Sequence, residues 1–257
     1  MKVHRILCEV GLCLSLCAGT VSAQSPAPSS TSPAAGWQVE LVPYLWGSGV
    51  DGTVGIGNRT ADIDASFRNI LEHLHFAAMG MVDAHHDRFT LITDVFYTDL
   101  RGQAATPGPL FSSVNPQQKL FIMTPLAGYR VIDNNDSWVD VVGGMRLWQT
   151  KSELQFRAGV LPSLTVANSR GWGDAIVGLR ARTVIPFASK WWVNTYGDLG
   201  GGGSDFTWQV VGTAGRDFQQ HYALVLGYRY LSVDFNRNNY LLDTALKGPI
   251  VGFTFKF

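Results

Sequence analysis

From Trp37 to Phe257 apolar and polar residues alternate with a period of two, segment after segment. Only an extended strand places successive side chains on opposite faces, so this pattern constrains the fold more than any other feature. Val39, Leu41, Pro43 and Leu45 oppose Gln38 and Glu40. Val139, Val141, Met145 and Leu147 oppose Asp140, Gly144 and Arg146. Ala175, Val177, Leu179 and Ala181 oppose Asp174, Gly178, Arg180 and Arg182. Ten such strands are predicted, over 37–49, 75–86, 89–100, 119–131, 137–150, 171–185, 191–200, 205–216, 221–234 and 245–257. Most exceed the ~5–6 residues of a globular strand and suit the ~9–11 residues of a tilted strand crossing a bilayer.

Composition narrows the choice. Charged residues are 16 % of the 257, below the roughly 25 % of soluble domains, and 20 basic residues balance 20 acidic ones. The balance gives no reason to expect a nucleic-acid partner. A hydrophobic content of 46 % excludes a disordered chain. No apolar run reaches the ~20 residues of a membrane helix.

The first residues read as an address. Lys2 and Arg5 precede a short apolar run from Val10 to Ala18, and Val21-Ser22-Ala23 offers a small-residue cleavage site. The expected organisation is a cleaved signal peptide over 1–23, a Ser/Pro/Ala-rich lead-in over 24–36 and one β-domain over 37–257. All three cysteines, Cys8, Cys13 and Cys17, fall in the leader, so the mature chain is expected to hold no disulfide and no thiolate metal site.

Short connections near 87–88, 133–136, 187–189 and 218–220 alternate with longer ones over 50–74, 101–118 and 151–170. That asymmetry, with an even strand count, is the pattern of a closed antiparallel transmembrane β-barrel with short periplasmic turns and longer extracellular loops. A soluble β-domain alternates too, and is the competing architecture. Aromatic residues near strand ends, among them Trp37, Tyr44, Trp46, Trp138, Trp148, Trp172, Trp191, Trp192 and Tyr222, are expected to form interfacial girdles. Phe253, Phe255 and the final Phe257 share one face. They are similar to the C-terminal insertion signal of Gram-negative outer-membrane barrels, which implies recognition by the barrel-assembly machinery.

Asp51-Gly52-Thr53-Val54-Gly55, Ser204-Asp205-Phe206-Thr207-Trp208-Gln209, Gly227-Tyr228-Arg229-Tyr230-Leu231, Gly248-Pro249 and Pro43-Tyr44-Leu45-Trp46 carry a further resemblance. The mature chain resembles a family of bacterial outer-membrane, porin-like β-barrel proteins. The motifs are structural, so the resemblance implies fold and cell-envelope location and supplies no substrate.

With the apolar face outward, the lumen is expected to hold Glu40, Asp83, Asp94, Asp140, Asp174 and Asp198 with Arg130, Arg146, Arg180, Arg182 and Arg229. Gly-x-Arg recurs at Gly128/Arg130, Gly144/Arg146, Gly178/Arg180 and Gly227/Arg229. A glycine beside an arginine leaves room for a guanidinium to lie along the wall and meet a carboxylate. Barrels of about eight strands are filled by side chains, whereas 16–18 leave a channel. The expectation is therefore a lumen largely filled by ion pairs, with a structural or narrow porin-like role.

Catalytic candidates are thin. His75 and Asp99 begin and end adjacent predicted strands near the outer rim, a pairing that could activate water. Parity, however, puts His75 inward and Asp99 outward, and no hydrolase motif accompanies them. No catalytic residue, metal site or cofactor is expected, and a rim hydrolase is kept as the alternative. The expected partners are outer-membrane lipid and lipopolysaccharide, the assembly machinery, and at most a small solute. Ser66 to Leu74, with Phe67, Ile70, Leu71 and Leu74 at helical intervals, suggests a short helix at the rim.

Overall fold

Alternation along the chain becomes two surfaces once the strands pair. A computed structural model describes residues 36–56, 59–105, 109–237 and 239–257. The expected signal peptide and, but for Gly36, the lead-in lie outside the described residues. In chain order come β1 (Gln38–Trp46), β2 (Gly49–Ile56), β3 (Arg59–Ala65), α1 (Phe67–Glu72) and β4 (Leu74–His86). Then follow β5 (Phe89–Arg101), β6 (Ala104–Ala105), β7 (Phe111–Asp133), β8 (Ser137–Ala158) and β9 (Leu164–Val184). The last are β10 (Trp191–Gly202), β11 (Phe206–Gln219), β12 (Tyr222–Arg237) and β13 (Tyr240–Lys256).

Every neighbouring pair is antiparallel, and the sheet closes on itself. β13 pairs with β1 through its second half, from Glu40↔Lys256 to Trp46↔Ile250. Its first half pairs with β2, from Tyr240↔Ile56 to Lys247↔Gly49. β1 and β2 thus act as one stave, and the wall has ten. The backbone N–H of Phe257 donates to Val39 O at 2.9 Å where the two chain ends meet. Closure leaves the wall without an edge to aggregate through.

Leu45, Val82, Leu91, Val177, Leu179, Val210 and Leu226 stand exposed on the outside. Val42, Ile92, Ile122, Leu126, Val142 and Leu231 are buried inside. An apolar band therefore faces outward on the wall while a second apolar set lies inside.

Three features depart from the sequence expectation. The long connections are largely built as strand: β7, β8 and β9 run well past their predicted ends, and their register continues through Lys119↔Lys151, Gln117↔Glu153 and Ser152↔Asn168. Polar residues dominate there and leave only a few apolar ones, such as Leu154, Phe156, Leu164 and Val166, so the alternation is weak, while the backbone ladder needs no apolar side chain to persist. The segment 49–65 forms the hairpin of β2 and β3.

The second departure concerns the aromatics. Trp46, Trp148 and Trp192 are buried inside the barrel rather than set in a girdle. Trp172 stacks on Trp148, with centroids 5.5 Å apart, inside as well. Tyr44 and Trp138 line the lumen. Trp37, Tyr129, Trp191 and Tyr222 do stand exposed.

Third, a register shift between Leu74 and Phe76 turns His75 out of its expected face. It then lies beside Asp99, Nδ1 to Oδ2 3.5 Å. The helix expected near 66–74 is α1, capped by the Ser66 hydroxyl accepting from the Asn69 N–H at 3.4 Å.

Candidate functional site

Among the described residues, the interior is where most of the buried charge is concentrated. Inward positions recur every second residue, so each stave contributes a column of groups pointing at the barrel axis. Arg182 on β9 reaches Glu40 on β1, at 3.9 Å. Those staves are diametrically opposite in the wall. Arg180, also on β9, meets Asp83 of β4 at 2.5 Å and Asp140 of β8 at 3.4 Å. Thr90 donates to the other Asp83 oxygen at 3.0 Å. Arg130 meets the second oxygen of Asp140 at 3.0 Å. Trp138 has the guanidinium groups of Arg130 and Arg180 over its ring, at 4.6 and 4.7 Å.

Higher up, Arg229 of β12 crosses to Asp94 of β5 at 2.9 Å. It also donates to the Tyr44 hydroxyl at 2.9 Å and to Gln209 Oε1 at 2.9 Å. Tyr44 in turn donates to Asp94 at 2.6 Å, closing a three-residue ring of charge-assisted bonds among Arg229, Asp94 and Tyr44. The Arg229 guanidinium lies 4.6 Å over Trp46. Arg146 donates to Asp198 at 2.6 Å and to Thr207 at 3.1 Å. Both side chains of that ion pair are fully buried.

Asp174 stands apart from these pairs. Among the described residues it meets no guanidinium; its Oδ1 accepts the Ser204 backbone N–H at 2.6 Å and holds the β10–β11 turn down. The close approach requires glycine: a Cβ at Gly203 would lie 2.7 Å from Gly173 O. The glycines of the Gly-x-Arg repeat are similarly tight. A Cβ at Gly178 would come within 2.9 Å of Asp198 Cβ, and one at Gly128 within 2.7 Å of Thr90 Cγ2.

Tyr44, Thr207, Gln209, Trp138 and Trp192 belong to this interior and were not singled out as lumen residues by the sequence reading. Parity was the available signal. Tyr44 shares its face with Glu40, and Trp138 with Asp140, whereas an aromatic near a strand end reads first as an interfacial ring.

Two cavities flank a greasy constriction. A polar one of about 150 Å³ lies among the ion pairs, bordered by Glu40, Asp83, Asp94, Arg180, Arg182 and Arg229. At about 30 Å³ per water it has room for about five. The constriction is the cluster of Trp46, Phe96, Ile122, Trp148, Leu231 and Phe235. Beyond it, toward the long connections, opens a second cavity of about 610 Å³.

No protein-family model matches this chain, and neither does any curated protein. Among solved structures, the outer membrane protease OmpT from Escherichia coli superposes with a TM-score of 0.58. The match spans 89 % of this chain and 99 % of that one at 8 % identity, which is a likeness of fold. The fold is that of an outer-membrane β-barrel. The translocator domain of the autotransporter NalP from Neisseria meningitidis matches more loosely, with a TM-score of 0.42 at 14 % identity over 86 % of this chain and 88 % of that one. Ail from Yersinia pestis gives 0.37 at 10 % identity over 86 % and 98 %.

In an outer-membrane barrel the short turns face the periplasm and the long connections face outside. Asp99 therefore lies at the external rim. Burial opposes its ionisation, but hydrogen bonds from Arg101 at 2.9 Å and Gln117 at 2.8 Å outweigh this and hold its carboxyl below the ordinary range. Asp234, on the same rim, is pushed the other way by burial and by the neighbouring Asp243 and Asp205.

Proposed function

We propose that this protein is a non-catalytic barrel of the Gram-negative outer membrane, exported through its signal peptide, whose lumen is closed or narrowed by the Asp/Glu–Arg network. The role is structural or narrowly porin-like. The observation that carries this reading is that ion pairs span the lumen: Arg182–Glu40, Arg180–Asp83 and Arg229–Asp94 each join staves far apart in the wall. Such bridges put paired charge where a channel would hold mobile water, and each unpaired member would cost several kcal/mol. The packed cluster of Trp46, Phe96, Ile122, Trp148, Leu231 and Phe235 supports the same reading, since large apolar side chains take up lumen space that water would need. Lipid and lipopolysaccharide contact the outer band in this account. Phe253, Phe255 and Phe257 serve recognition by the assembly machinery, and any solute that crosses is small.

Planar-bilayer recording tests the proposal. The native protein is expected to give no discrete steps, or very small ones. Arg180→Ser with Asp83→Ser removes two members of the bridge tier and should raise the conductance of the polar half. Large, frequent steps from the native protein would overturn the closed lumen.

A rim hydrolase is the second reading, because His75 approaches Asp99 and OmpT, a barrel of similar fold, is a protease. The Asp99 oxygens are already engaged by Arg101 and Gln117. The pair also stands on the outer wall, with no serine or cysteine recorded in contact with it. Peptide or lipid hydrolysis lost in both His75→Ala and Asp99→Ala would favour this second reading.

A further inference from the structure

The external cavity differs in kind from the lumen beneath it. It is large, about 610 Å³, within the ~300–1,000 Å³ of small-molecule sites. At about 30 Å³ per water it holds about twenty water-sized groups. Among the described residues, not one lysine, arginine, aspartate or glutamate lines it. Its walls include Val50, Phe96, Leu120, Trp148, Leu242 and Leu246, with seven hydroxyls and one amide between them. A water-filled mouth gains nothing from such a lining, because apolar surface facing water is unfavourable at about 25 cal/mol per Å².

Part of the polar lining is paired within itself. Gln118 donates to Thr150 at 2.7 Å and accepts from Ser152 at 2.5 Å. Trp148 is different. It is 2 % exposed, borders the cavity, and its indole N–H has no partner among the described residues. A buried donor of this kind is costly unless a ligand or another acceptor reaches it.

The cavity also has a roof and a floor. Ile70 of α1 and Ala61 and Ile63 of β3 border it from above. The helix is seated by Phe67, whose ring lies in van der Waals distance of the Gly47 position. The constriction around Trp46 and Phe235 closes the bottom. The external half is therefore a cup and not the mouth of a conduit.

We infer that this cup is a binding site for one uncharged, mainly apolar small molecule of about twenty non-hydrogen atoms carrying a hydrogen-bond acceptor for the Trp148 indole N–H. A charged solute is disfavoured because the walls offer no counter-charge and would strip its hydration. The inference stands independently of whether the lumen conducts.

The test uses the full-length protein in zwitterionic nanodiscs, with empty nanodiscs as the background. The probe is 6-propionyl-2-(dimethylamino)naphthalene, an uncharged naphthylamine fluorophore whose ketone can accept from the Trp148 N–H, set against 6-(dimethylamino)naphthalene-2-sulfonate, which has the same rings and amine with a negative charge in place of the ketone. Saturable binding of about one naphthylamine per barrel, at least about tenfold tighter than the sulfonate, is expected. Ile63→Arg, which places a charge on the cup, should weaken it about tenfold or more. Ala61→Trp is the second variant, because Ala61 borders the cavity and is itself exposed, so a bulky ring there takes up ligand space without replacing a buried wall residue. It should weaken binding by a similar factor while heat-modifiable migration shows the barrel folded. Val210→Ala on the lipid face should leave binding unchanged. Partitioning no different from empty nanodiscs, equal binding of the sulfonate, or native affinity in folded Ala61→Trp would each overturn the inference.

Discussion

The two halves of the interior solve the same geometric problem in opposite ways. Staves β5, β7, β8 and the β1–β2 and β13 staves run through both, and inward residues of the wall line each. In the periplasmic half those positions carry arginines and carboxylates that meet across the axis, such as Arg180 with Asp83. In the external half they carry Leu242, Leu246, Val50 and Phe96. The difference teaches that a narrow barrel buries charge where opposite walls come within reach of an arginine. Where the staves rise past the constriction and the interior widens to about 610 Å³, no such partner is in range and the lining is uncharged.

The sharpest way to break that contrast is Arg146→Met. It leaves Asp198 buried and unpaired, so a loss of about 3–5 kcal/mol is expected by urea titration in detergent. Adding Asp198→Leu should return most of that loss, because a pair replaced by packed apolar groups is often neutral. Gly178→Ala comes next, at about 1–3 kcal/mol, since its Cβ would overlap Asp198 and the neighbouring strand. If it costs nothing, the tight glycine–arginine packing is not what seats the guanidinium. In the cup, Leu242→Ala should cost less, about 1 kcal/mol, because its side chain is only half-buried against open space.

The two rim carboxylates give a smaller test with opposite signs. The carboxyl of Asp99 is lowered in the folded state, so its contribution is present above the ordinary range near ~3.9 and is lost as pH falls through the folded value. Asp234 is raised, so its ionised form costs stability above the folded value and the cost vanishes at lower pH. Asp99→Asn should therefore destabilise at neutral pH and Asp234→Asn stabilise, with both effects fading in acid. His75→Ala, at an exposed position, should change stability by no more than about 0.5 kcal/mol.

Much of this was legible in the chain. Alternation set the strand positions, the ten-stave closure and the outward direction of Leu45, Val177 and Val210, because a lipid-facing wall must put every second residue into hydrocarbon. The same parity placed Arg146, Asp198 and Arg229 inside. Aromatics were misassigned where two signals conflicted. Trp46 and Trp148 lie near the ends of predicted strands, which suggests a girdle, but share the parity of buried neighbours, and parity decided. His75 could not have been placed, since a one-residue register shift leaves no trace in composition.

What the sequence determined by itself is the local and periodic part: strand, face and wall. Which arginine meets which carboxylate was decided only by closure of the sheet, because Arg180 and Asp83 are 97 residues apart and come together through the curvature of the wall. The outer ladders of β7, β8 and β9 belong to tertiary structure as well, since backbone hydrogen bonds hold them and their mostly polar side chains carry only a weak period. The external cup is decided the same way: its walls come from β2, β3, α1, β5, β7, β8 and β13, and only the closed barrel sets those short apolar stretches around one volume.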